Sequence, residues 1–285
     1  MHTHHVKALF LLAILSLSAL STESVKTDNT VAWDKLHGLG KVEYFQLAHT
    51  KPDKPAYPYH IFVRLPDEYE DPKHTNFPTL YLLDGGVNFS LFSAYYSYLR
   101  FMNDIPPMII VGISYGTDDW RKGNDRGHDF TVPSIERQHW GGAQQFEQFL
   151  SQTLLPTMQK NYLVDKEKQI LFGQSLGGQF ALYTSIYGNA PFHAVIASNP
   201  ALHRNLDYFK QPMKARTTRP RVFVSLAEFD DLKYKAPATK WLKYWQQQKV
   251  EWDHHVDHLP KHNHLSATPD AIRNGLKWIF SLPPR

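Results

Sequence analysis

Short apolar runs rich in β-branched and aromatic residues recur along the chain: Tyr59 to Leu65, Thr79 to Leu83, Met108 to Ser114, Gln169 to Phe172, Ala194 to Ser198, Val222 to Leu226 and Trp252 to Leu259. An earlier run, Val42 to Leu47, reads the same way. Between them lie segments of helical spacing: Phe89 to Phe101, Ala143 to Lys160, Gly177 to Tyr187, Thr239 to Gln248 and Pro269 to Phe280. The clearest is Ala143 to Lys160, where Phe146, Phe149, Leu150, Thr153, Leu154 and Met158 fall on one face. Strands apolar on both sides that alternate with helices call for a mostly parallel sheet, because crossover helices cover both of its faces. The early strands have short connections, so an antiparallel edge is expected there. Two polar stretches, Gly116 to His139 and Leu202 to Pro220, fit neither period and are expected to form rims over a binding site.

A chain of 285 residues, 42% hydrophobic and 14% aromatic, can bury one large core. Nothing in it reads as a linker, so residues 22–285 are expected to form a single domain. The N-terminus differs: Lys7 precedes an apolar run from Ala8 to Leu20, and small residues follow around Ala19 to Ser21. That is the layout of a secretory signal peptide over residues 1–21, and the run is short for a membrane span, so no stable membrane anchor is expected. With no Cys there is no disulfide, no thiol nucleophile and no Cys-based zinc site. Export without cysteine suits a periplasmic or secreted protein. The net charge of +4 is spread along the chain rather than massed, which gives no footprint for nucleic acid.

Gly-x-Ser-x-Gly occurs twice, around Ser114 and around Ser175. A nucleophile elbow requires strand, sharp turn, then helix, with glycines that let strand and helix close around the serine. Gln169 to Phe172 is strand-like, and Leu176 to Tyr183 reads as a helix start. Ser114 also ends a strand, but Tyr115 to Gly123 has no helical period. Ser175 is therefore the expected nucleophile, with Ser114 near the rim of the site.

A serine hydroxyl needs a base to take its proton, and an imidazole base needs a carboxylate to fix its tautomer. With the chain order Ser, acid, His, both partners belong to loops after later strands. Ala227 to Asp231 follows the strand Val222 to Leu226 and offers Asp230 first, Glu228 as the alternative acid and Asp231 third. Of the histidines His254, His255, His258, His262 and His264, the last lies closest to the following helix and is the expected base. The spacing of His254 and His258 would suit a metal on a helix, but the stretch alternates like a strand, so no catalytic metal is expected. The oxyanion donors are expected to be the N–H of Leu176, directly after the nucleophile, and of Gly86 in "YLLDGG".

Together "LYLLDGG", "IIVGISYG", "DFTVPS", "GGAQQFEQFL", "LFGQSLGGQFALY" and "HNHLS" resemble the esterase D group of α/β-hydrolases, which includes trilactone siderophore, feruloyl and acetyl-xylan esterases. The resemblance runs from about residue 40 to the end of the chain. It implies an α/β-hydrolase fold, a mostly parallel eight-stranded sheet with short cap-like insertions, and Ser175, His264, Gly86 and Leu176 in the roles above. Two positions depart from the group: Gln174 stands where His is common, and Ala227 where Gly is common. The expected function is an exported serine hydrolase that cleaves a small-molecule carboxylic ester without a cofactor, the ester being a siderophore trilactone or a feruloyl or acetyl ester. Tyr115, Trp120 and Trp140, with Tyr95, are expected to line its pocket. The competing expectations are a binding protein that has lost the chemistry, an acyltransferase, and a histidine-rich metal carrier.

Overall fold

The computed structural model describes residues 39–48, 57–119, 122–216, 218–248 and 252–281. The expected signal peptide and Trp120 lie outside the described residues. Strands β4 (Ile109–Ser114) and β6 (Ala194–Ser198) are buried at every position. Such strands need cover on both faces. They belong to an eight-stranded sheet that also contains β1 (Lys41–Leu47), β2 (Tyr59–Leu65), β3 (Phe77–Leu82), β5 (Val164–Gln174), β7 (Arg221–Ala227) and β8 (His254–Leu259). The spatial order is β1-β2-β4-β3-β5-β6-β7-β8. β1 and β2 form the antiparallel edge, β2 pairs antiparallel with β4, and the pairings from β4 to β8 are parallel.

Helices α1 (Gly85–Phe101) and α7 (Thr268–Ser281) cover one face. There Phe89, Phe92 and Tyr96 pack with Ile272, Leu276 and the inner side chains of β3 and β5. The short α2 (Arg126–Asp129) joins α3 (Ala143–Phe149), α4 (Leu155–Asn161), α5 (Leu176–Ile186) and α6 (Leu232–Gln247) on the other, around Phe146, Phe180 and Trp241. Among the described residues no helix is long and apolar enough to cross a membrane.

The helical stretch expected over Ala143 to Lys160 is present, and Phe146, Phe149, Leu150, Leu154 and Met158 are buried as the spacing requires. It is not a uniform α-helix, because Leu150–Leu154 forms a π turn. Pro156, just inside α4, has no N–H to continue the ladder, and the widened turn absorbs that loss. Helix α6 begins earlier than its apolar spacing indicates. Asp231 caps it by accepting from the Lys233 N–H, and Pro237 is carried inside it.

The two polar stretches are tied to α5 rather than left loose. Gln179 Oε1 accepts from Val132 N (3.3 Å) and Asn205 Nδ2 (3.1 Å), while its Nε2 donates to Ala201 O (2.6 Å) and Asn205 Oδ1 (3.2 Å). Arg204 pairs with Glu136 across the same two stretches. The insertions are thus bonded to each other and to the helix that follows Ser175.

Candidate active site

Ser175 sits between β5 and α5 at φ 60°, ψ −112°, a conformation strained for a side-chain-bearing residue. Three hydrogen bonds hold it: its N–H donates to Ser198 O (3.0 Å), and its carbonyl accepts from Gln179 N (2.9 Å) and Ala201 N (3.0 Å). The glycines are required by close approach. A Cβ at Gly173 would lie 2.1 Å from Gly177 O, and one at Gly178 would lie 2.8 Å from Ser198 O. Ser114 has no such turn; positive φ falls on Gly116 instead. Its Oγ accepts from Gly116 N (3.2 Å) and lies on the wall of the same cleft as Ser175.

His264 Nδ1 stands 2.9 Å from both carboxylate oxygens of Asp230, whose side chain is 2% exposed. The loops after β7 and β8 bring them together. The other two carboxylates of the 228–231 loop are engaged elsewhere: Glu228 accepts from Lys261 N (2.8 Å), and Asp231 caps α6. The Tyr234 ring stacks on the His264 ring, with centroids 4.4 Å apart and planes at 27°. The His264 carbonyl accepts from Asn199 Nδ2 (3.0 Å) and from Gln174 Nε2. His264 Nε2 is buried with no hydrogen-bond partner, so no such bond joins it to Ser175 Oγ.

A cleft of about 560 Å³ opens beside Ser175, lined in part by Asp84, Gly86, Ser114, Arg126, Gln174 and Leu265. Gly86 is the second residue of α1 and Leu176 the first of α5, so both N–H groups belong to first turns that lack a carbonyl within the helix. Asp84 caps α1 in the left-handed region, and its carboxylate is held by Arg126 through Nε (2.7 Å) and a terminal nitrogen (2.9 Å). Burial lowers the Arg126 pKa, but the Asp84 charge and hydrogen bonds outweigh it and leave it above the ordinary value.

Tyr115 lines the cleft, but its hydroxyl turns away, donating to the buried Asp129 (3.0 Å) alongside Tyr59 (2.6 Å). Burial first, then the Asp129 charge, push the Tyr115 pKa well above its ordinary value. Trp140 meets His203 edge-on at 6.3 Å and is not among the residues that line this cleft. Tyr95 also lies outside it, 3.5 Å from an Arg273 nitrogen. On β8, His254, His255 and His258 are all exposed, and His255 also stacks on Phe223 and Trp278. Among the described residues no group of three His, Cys, Asp or Glu is placed to hold a metal. Sequence reasoning missed Asn199, Tyr234 and the Asp84–Arg126 pair. Asn199, in "SNP" directly after β6, had the one visible signal, an amide at the carboxyl end of a central strand.

A mostly parallel sheet with a strained serine between β5 and α5, and a paired aspartate and histidine on the loops after β7 and β8, is the arrangement of the α/β-hydrolase fold. The family follows from the sequence match: the chain belongs to the Esterase family, whose model covers residues 54–273. Over 164 residues it is 32% identical to ferri-bacillibactin esterase BesA of Bacillus subtilis, which covers 52% of this chain and 55% of that protein. Over 143 residues it is 26% identical to apo-salmochelin esterase of Escherichia coli O6:H1, covering 47% and 44%. The chain thus spans about half the length of the curated relatives it matches. The siderophore hydrolase EstB of Aspergillus nidulans superposes with a TM-score of 0.69 at 20% identity, over 86% of this chain and 97% of that one, a likeness of fold.

Proposed function

We propose that this protein is an exported serine esterase in which Ser175 is the nucleophile, His264 the base and Asp230 the carboxylate that orients it. The observation that carries this reading is the Asp230–His264 pair: a buried carboxylate accepts a hydrogen bond from Nδ1–H and so fixes the tautomer, which leaves Nε2 as the ring nitrogen free to accept a proton. Ser175 Oγ attacks the ester carbonyl and its proton passes to Nε2; the N–H groups of Leu176 and Gly86 receive the oxyanion. Collapse returns that proton to the departing alkoxide, giving alcohol and acyl-enzyme, and a water activated by the same nitrogen releases the acid. The Oγ to Nε2 bond commonly tightens only as substrate binds. Lys7 and the apolar run to Leu20 support export over residues 1–21.

The relatives named as siderophore esterases support a lactone or ester of that class as substrate, a large molecule that would enter the cleft beside Ser175 by one ester at a time. Hydrolysis of a panel containing a trilactone siderophore, a feruloyl sugar and a short-chain chromogenic ester tests the reading. The trilactone is expected to give the highest kcat/KM, and Ser175→Ala is expected to lower kcat on every ester by about a millionfold. Equal turnover by wild type and Ser175→Ala would remove the serine from this role.

A further inference from the structure

We propose that Gln174 and Asn199 are positioning residues that clamp the backbone carbonyl of His264 and so set where the base stands between nucleophile and acid. The inference rests on the roles proposed for Ser175 and His264. Both amides donate to that one carbonyl, Asn199 at 3.0 Å. Gln174 is covalently joined to Ser175, so one arm of the clamp is the nucleophile strand itself. The other arm leads to the acid. Asn199 Oδ1 accepts from the N–H of Ala227 (2.7 Å), three residues before Asp230, and the Asn199 N–H donates to Ser225 O (2.9 Å).

Donor chemistry fixes how both amides point. A carbonyl only accepts, so each side chain must turn its NH₂ toward His264 O. For Asn199 this leaves the oxygen facing the Ala227 N–H, where it is satisfied. For Gln174 it leaves Oε1 buried without a partner, in a residue that is 6% exposed. An unpaired buried acceptor destabilises the fold, so an apolar side chain of the same length would serve packing better. The glutamine is placed where it weakens the fold locally and holds the base. Nothing bonds to His264 Nε2, so the placement of the ring relative to Ser175 depends on this clamp, on Asp230 at the ring edge and on Tyr234 at its face.

Two substitutions remove the amide donors, and Asn199→Asp also brings an acidic group to a position only 1% exposed. Asn199→Asp keeps the acceptor for Ala227 and tolerates φ 42°, and Gln174→Met keeps length while deleting both polar atoms. Each is expected to lower kcat on a short-chain ester about 10- to 100-fold with KM within about twofold, because displacement of a catalytic group acts on the reacting geometry. The melting temperature of Gln174→Met is expected to stay at or above that of wild type. Gln174→His, which restores a ring N–H donor, is expected to recover most of kcat. Independently of turnover, the ¹⁵N-labelled imidazole of His264 is expected to give one sharp set of signals in wild type and broadened or doubled signals in Asn199→Asp and Gln174→Met. Unchanged kcat and unchanged imidazole signals in both variants would overturn the clamp. So would a rise in KM alone, which marks a substrate contact, or a fall in melting temperature parallel to kcat in all three variants, which marks packing alone. If the wild type neither hydrolyses esters nor reacts at Ser175, the proposed function fails while the imidazole signals still decide the clamp.

Discussion

His203 lies between two aromatic residues, 5.0 Å from Tyr234 and 6.3 Å from Trp140, and Tyr234 is the ring that stacks on His264. Its Nδ1 is buried without a partner. Burial first, then Arg204, hold its pKa below the ordinary 6.5; Glu136 opposes them, and Lys233 and Arg137 add to the lowering. A depressed folded pKa means that the unfolded chain binds the proton more readily. The contribution of this residue is therefore complete above pH 6.5 and is lost as pH falls through the folded value. The melting temperature of wild type is expected to fall faster below that pH than that of His203→Gln; parallel curves would contradict the assignment. At this scale the placement of Ser175 between strand and helix, and of the 228–231 loop and His264 after the last two strands, was legible from the order of strand-like and helical segments. Asp230 could be separated from Glu228 and Asp231 only by geometry, since which carboxylate turns inward depends on the course of the loop. Tyr234 and Asn199 were not legible: a stacked ring and a bridging amide acquire meaning only when distant segments meet.

Helix α5 is the element on which the site turns, carrying Leu176 at one end and Gln179 one turn in. Gln179 is fully buried and makes four hydrogen bonds to the stretches around Val132 and Ala201 to Asn205. Gln179→Leu would leave the Val132 N–H and the Ala201 carbonyl buried and unpaired. It is expected to destabilise the fold by about 2–4 kcal/mol, measured by urea unfolding. A loss below about 0.5 kcal/mol would show that the insertions do not depend on it. The insertions had no readable period because they are held by scattered side-chain bonds, among them those of Gln179, Arg126 with Asp84, and Arg204 with Glu136, rather than by a repeating apolar face. The boundaries of α6 and the π turn before α4 escaped for a related reason. The π turn stands beside Pro156 and α6 carries Pro237 within its first turns, and a proline's effect depends on whether the lost bond falls where the turn can adjust.

At the scale of the molecule, alternating apolar runs were enough to give a parallel sheet layered between helices, and the short early connections gave its antiparallel edge. The exchange of β3 and β4 in the spatial order was not readable, since it arises from the crossover through α1 and not from any residue. That exchange brings the start of α1, with Gly86, to the same cleft as Ser175. The sheet thus gathers segments some 180 residues apart, from Asp84 to His264, at the carboxyl ends of its strands. Whether they act as one machine is tested most directly by the rate at which a fluorophosphonate modifies Ser175, with the site read by peptide mass spectrometry. The wild type is expected to form a single adduct on that serine, with His264→Ala slower by at least about a thousandfold and Asp230→Asn also impaired. An adduct on Ser114 instead, or equal rates at Ser175 in wild type and His264→Ala, would contradict the assignment.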